Sequence, residues 1–123
     1  MCIRDRSIDI LNYVELPTRD MTEMKAFYTQ AFGWGYQDYG TQYAAFLDAG
    51  IDGGFDEASD RKLSKNGPLV VLLSQDLEVS QTRVIEAGGL VSVPIFSFPG
   101  GRRFHFVDPS GNELAVWSKT EQG

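Results

Sequence analysis

Apolar and polar positions alternate through the first structured part of the chain: Ile10, Asn12, Val14 and Leu16 interleave with Leu11, Tyr13 and Glu15. That two-residue period predicts a strand over 8–16 lying between a core and a partly polar face, and Pro17 ends it. The period then lengthens. Met21, Met24, Phe27, Tyr28 and Ala31 recur at helical spacing behind Asp20, an N-cap residue type, with Glu23 three positions on to complete a capping box and Gly33 to close the helix. Three short strand patterns follow at 34–39, 43–48 and 51–55, separated by glycine-containing turns, as in an antiparallel meander. Residues 56–67 are polar and aperiodic, which marks a connection and the expected joint between two halves.

The second half opens on PLVVLLS at 68–74, a continuous apolar run that predicts a strand buried on both faces. Asp76 then caps a helix carrying Leu77, Val84 and Ile85 and closed by Gly88 and Gly89. Pro94 interrupts the next strand pattern, 90–98, and so predicts an edge or bulged strand. The chain closes on FHFVDPSGNELAVW at 104–117, two strands joined by a turn at 108–112. Leu114 and Val116 share one face of the last strand, and Glu113, Ala115 and Trp117 share the other. With Phe104 and Phe106 toward the core, alternation places Arg103 and His105 on that second face.

The length of 123 residues suits one domain, expected at 8–119, with module one at 8–56, the connection at 57–67 and module two at 68–119. The tetrapeptide 120–123 is read as a tail. MCIRDRS at 1–7 has mixed charge and no period; it reads as a non-native or disordered tail resembling a translated sequencing-adapter fragment of metagenomic reading frames, which sets Cys2 aside. The net charge of -6 argues against generic nucleic-acid binding and favours a neutral or cationic partner, although Asp52, Asp56, Glu57 and Asp60 equally read as a solvated surface. A single cysteine forms no internal disulfide, no apolar run reaches the length of about 20 residues needed to span a membrane, and the expected compartment is the cytoplasm.

A shift of 56 residues lays Asp20 on Asp76, Met21 on Leu77, Tyr28 on Val84 and Gly33 on Gly89. Both halves thus read strand, capped helix, further strands: a duplicated βαβββ module whose copies pair because neither buries its helix and sheet alone. With VELPTRD, Phe27, Tyr28 and Gly33 in the first half and Phe106 to Asp108 with DPSGNELAVW in the second, the chain resembles the vicinal oxygen chelate superfamily of glyoxalase I, extradiol dioxygenases and bleomycin-resistance proteins. The resemblance implies an α+β fold in which two βαβββ modules form a curved mixed sheet around a concave groove, with the helices outside. It also implies a homodimer, and a divalent metal held by His, Gln or Glu from several strands.

The positions that the resemblance assigns to metal ligands are occupied here by Tyr13, Leu69 and Ala115. Leucine and alanine have no donor atom, and neutral tyrosine is a poor ligand beside imidazole or carboxylate, so the family's metal is not expected at these positions. Tyr13, Glu15, Arg103, Ala115 and Trp117 are candidate ligand-binding residues on the groove-facing alternation. His105 and Glu113 are candidate catalytic residues, since imidazole titrates near neutrality and an adjacent carboxylate raises its pKa.

Two readings follow. In the first the groove binds an aromatic or cationic small molecule by stacking and charge complementarity, with no cofactor. In the alternative the protein is a lyase, isomerase or dioxygenase-type enzyme, using either a divalent metal at the atypical set His105, Glu15 and Glu113, or His105 as an acid-base catalyst. A lone histidine on a strand also has a plain role as a hydrogen-bonded structural residue, and Glu113 as a partner of Arg102 or Arg103.

Overall fold

The computed structural model describes residues 12–58 and 68–119. The expected tails, Cys2, the first residues of the opening strand and most of the 57–67 connection lie outside the described residues. The first module runs β1 (Tyr13–Pro17), α1 (Met21–Phe32), β2 (Gly35–Asp38), β3 (Tyr43–Leu47) and β4 (Asp52–Asp56). The second runs β5 (Val70–Leu73), α2 (Leu77–Glu86), β6 (Leu90–Phe98), β7 (Gly101–Val107) and β8 (Glu113–Lys119). The mixed sheet is hydrogen-bonded as two halves, one per module, in the orders β1-β4-β3-β2 and β5-β8-β7-β6. In each, the first strand pairs parallel with the fourth and the remaining pairs are antiparallel. The fold is therefore α+β, two βαβββ modules.

Both helices begin as their sequences dictate. Asp20 Oδ1 accepts from the Glu23 amide at 3.0 Å and Asp76 Oδ1 from the Val79 amide at 3.2 Å, each satisfying a donor that the first helical turn leaves unpaired. Gly33, at φ 78, closes α1 in the left-handed conformation that costs glycine no Cβ clash. The apolar stripe of α1 is buried on two sides. Tyr28 stacks on Trp34 (centroids 4.6 Å apart) and packs on Phe55 of its own module, while Phe27 reaches Phe106 of the second module at 5.8 Å. Each such fully buried aromatic contributes about 1.5–3 kcal/mol of burial free energy.

Two expectations need correction. The run at 68–74 is not buried on both faces: β5 lies at the edge of its sheet, Val70 and Leu72 pack on the core, and Val71 and Leu73 are 43% and 61% exposed. An apolar run records only the lack of polar side chains, not how many faces are covered. Ile85 likewise points outward, because α2 meets the core through a narrower stripe, Leu77 and Val84. Pro94 acts as its sequence predicts. β6 is an edge strand with register shifts between Val91 and Val93 and between Val93 and Phe96.

The turn at 108–112 docks the second module onto the start of α1. The Ser110 hydroxyl accepts from the Arg19 amide (3.0 Å), Asn112 Nδ2 donates to the Pro17 carbonyl (3.0 Å), and the Tyr28 hydroxyl donates to buried Asp108 (2.9 Å). Asp108 Oδ1 also accepts from the Ser110 and Asn112 amides. Burial raises the Asp108 pKa above the usual aspartate value against the opposing pull of these hydrogen bonds, and burial beside Asp108 holds the Tyr28 phenol well above its ordinary range.

Candidate functional site

Every second residue of β7 and β8 points away from the core, and the register aligns these residues into rows across the second sheet. One row reads Leu73, Trp117, Arg103, Phe96, and the next reads Val71, Ala115, His105, Val93. The bulges of β6 are what bring Phe96 beside Arg103, since without them strict alternation would set it on the opposite face from Val93.

On this open face His105 Nδ1 lies 3.2 Å from Glu113 Oε2, which also accepts from the Ser92 hydroxyl at 3.0 Å. A carboxylate oxygen accepts, so in this contact Nδ1–H donates to Glu113 and Nε2 is the ring nitrogen turned away from it. His105 and Glu113 are 14% and 19% exposed. Nε2 is buried and meets no hydrogen-bonding partner among the described residues, and the same is true of Arg103 Nε. The Arg103 guanidinium lies over two rings, 5.3 Å from the Phe96 centroid and 5.6 Å from that of Phe98. Phe98 in turn packs on Trp117 at 6.3 Å.

Tyr13 and Glu15 belong to a different cluster. They lie on the corresponding face of the first module, where the Tyr13 and Tyr43 hydroxyls hydrogen-bond each other. Tyr43 lies across Gly54, whose lack of a side chain makes the contact: a Cβ there would come within 2.6 Å of the Tyr43 hydroxyl. Burial, the Tyr13 hydroxyl and Glu15 together push the Tyr43 phenol far above its ordinary pKa.

Donor chemistry bears on the family's metal. Leu69 has no donor, Ala115 is fully covered opposite His105, and the Tyr13 hydroxyl is engaged by Tyr43. The atypical set does not converge either: Glu15 accompanies Tyr43 while Glu113 accompanies His105, and no group of three His, Cys, Asp or Glu side chains suited to a metal occurs among the described residues. The residues present do not fit the family's metal, and no chemistry is derived through it.

A cleft of about 510 Å³ opens at the seam of the modules, lined by Phe32, Trp34, Phe46, Val70 and Leu72 together with Val71 and Leu73 of the open-face rows, with Asp48 its one charged residue. None of the site residues expected from sequence lines it. The expected pair His105 and Glu113 is brought together, with Arg103 and Trp117 on the same face; Tyr43, Ser92, Phe96 and Phe98 were not anticipated. For Phe96 and Phe98 the available signal was Pro94, which marks a change of alternation without giving its size.

The chain matches the Glyoxalase/Bleomycin resistance protein/Dioxygenase superfamily over residues 10–116. It is 28% identical over 115 residues to the protein CFP32 of Mycobacterium tuberculosis, an alignment that takes in 86% of this chain and 44% of the relative, so the chain spans less than half the length of that curated protein. Among solved structures it is similar to a glyoxalase-related enzyme from Fulvimarina pelagi, with TM-score 0.76, 17% identity and coverage of 91% of this chain and 89% of that one. It is also similar to the fosfomycin resistance protein FosX from Listeria monocytogenes, with TM-score 0.75, 20% identity and coverage of 94% and 97%. At these identities the structures speak for the fold alone, whereas the family match extends over nearly the whole described chain. The paired βαβββ modules, the docking turn and that match lead to one conclusion: the chain belongs to the glyoxalase/bleomycin resistance/dioxygenase family of the vicinal oxygen chelate superfamily.

Proposed function

We propose that this chain binds a small molecule with a flat apolar body on the open face of its second module, without the family's metal. The observation that carries this reading is the pair of buried nitrogens, Arg103 Nε and His105 Nε2, that nothing among the described residues satisfies. Buried polar groups in folded proteins are almost always paired, which favours for these two a partner that the described residues do not supply. Titration of purified protein with aromatic small molecules, with and without a chelator, tests it: saturable binding that chelator leaves unchanged is expected, and binding that chelator abolishes would sink the metal-free form.

A second reading rests on the His105–Glu113–Ser92 chain. Glu113 orients the imidazole through Nδ1, and Nε2 is then set to take a proton from a bound substrate as a general base. Turnover of a carbonyl or hydroxy compound that is lost in both His105→Ala and Glu113→Gln would favour it, and turnover unaffected by either would remove it.

The working unit is proposed to be a two-fold dimer in which a second copy completes the open faces. Exposed Tyr13, Val71 and Leu73 on the edge strands β1 and β5 favour this. A solution mass of one chain would exclude it.

A further inference from the structure

We infer that the ligand of the second module's open face is an organic anion, its carboxylate gripped by Arg103 and its apolar body laid over Trp117 and Leu73. This rests on the reading that the face binds a small molecule, and it specifies the ligand's charge.

The argument begins with two adjacent arginines. Arg102 points to the helix side of β7 and meets Glu78 in a two-pronged contact of 2.6 and 3.1 Å. Arg103, one residue on, points to the open face and has no carboxylate and no hydrogen-bonding partner among the described residues. A guanidinium stays protonated throughout the physiological range and carries five donors in a planar fork that matches a carboxylate. Phe96 and Phe98 satisfy the flat surface of Arg103 through cation-π contact and leave the in-plane N–H groups unused. The two rings hold the fork in place before anything binds, which lowers the entropy lost on binding.

The nearby acid is unavailable for this role. Glu113 is occupied by His105 and Ser92. The remaining neighbours of Arg103 in its row are Trp117 and Leu73, apolar, with Leu73 61% exposed. A charge beside an apolar shelf, with no counter-charge supplied by the protein, is complementary to a compound having a carboxylate at one end and an aromatic or aliphatic body at the other. A cationic ligand, the expectation from net charge, would set like charge against Arg103 on this face. The overall charge of -6 is a sum over the whole chain and does not describe the site.

Three compounds of one shape test the charge: 2-naphthoate, 2-naphthamide and 2-naphthylmethylammonium, each titrated into the full chain at neutral pH and followed by NMR. The naphthoate is expected to bind about 10-fold or more tightly than the amide, the size of effect that a charge-assisted hydrogen bond supplies. That preference should shrink as salt is raised, and Arg103→Gln should abolish it. Arg103→Lys should keep part of it, and Arg102→Gln all of it. Equal binding of the acid and the amide, or tighter binding of the ammonium compound, would overturn the anion assignment and leave small-molecule binding standing. Binding of none of the three would overturn both. A preference that survives Arg103→Gln would remove Arg103 from the assignment, and because the three-compound comparison needs no variant, a poorly folded Arg103→Gln protein does not obscure the result.

Discussion

The two modules share strand order and aspartate N-caps, yet their open faces have opposite character. In the first, Gly54 and Ala45 leave a shallow floor across which Tyr43 lies, its hydroxyl bound to that of Tyr13. The polar groups there satisfy one another. In the second, Arg103 stands at the position of Tyr43 and His105 at that of Ala45, beside Ala115, and each has a buried nitrogen that has no partner among the described residues. The turns differ in the same way. The 108–112 turn is buried and bonded to the other module, whereas its counterpart between β3 and β4, with Asp48 at φ 64 and Gly50 at φ 99, lines the seam cleft and makes no comparable docking contact among the described residues. Duplication supplies two copies of each position. One copy of each pair then holds the molecule together while the other is free to change.

The turn comparison predicts the largest effect. Asp108→Ala removes the acceptor for the Tyr28 hydroxyl and for the Ser110 and Asn112 amides, and should cost about 3 kcal/mol of stability in a denaturant titration. Asp48→Gly should be neutral or slightly stabilising, because glycine adopts positive φ freely. A comparable loss at both positions would erase the distinction. Next in size is Gly54→Val, whose side chain would strike the Tyr43 hydroxyl and the Ala44 carbonyl. A cost of about 2 kcal/mol is expected, with displacement of Tyr43, and ligand binding on the second module unchanged; lost binding would show that the two faces act as one.

Acid titration gives a smaller effect with a defined sign. The folded-state pKa of Asp108 is raised, so the stability due to its protonated form is fully present below the unfolded value and is lost as pH rises through the folded one. The stability of the wild-type protein relative to Asp108→Asn should therefore fall as pH is raised across that window, and a rise would contradict the assigned direction. The smallest effect belongs to Arg102→Ala. Its ion pair with Glu78 is solvent-exposed, and neither melting temperature nor binding should change measurably.

Much of the fold was legible because its determinants are local. Asp20 and Asp76 cap, Gly33 closes and Pro94 breaks a ladder through chemistry that reaches only a few residues. The β5 edge was not legible, since an apolar run looks the same with one neighbouring strand or two. Within the site, alternation was enough to pair His105 with Glu113 across one hairpin. It could not place Glu15 relative to them, because alternation within a strand says nothing about which faces of separate sheets converge. Nor could it find the Arg103 stack, which depends on how many residues the bulges of β6 insert. Tyr43 was missed for a related reason: its position depends on what glycine lacks on the neighbouring strand.

The docking turn also bears on how the chain folds during synthesis. Tyr28, Arg19 and Pro17 find their partners 80 to 95 residues later, at Asp108, Ser110 and Asn112. The first module therefore leaves the ribosome with its helix start and a buried phenol still lacking these partners, and it stays so until the β7–β8 hairpin has emerged. Contacts of such long range slow folding and prolong the exposure of unfinished surface. Loss of the β7–β8 hairpin would thus be felt in the module that precedes it, at the start of α1.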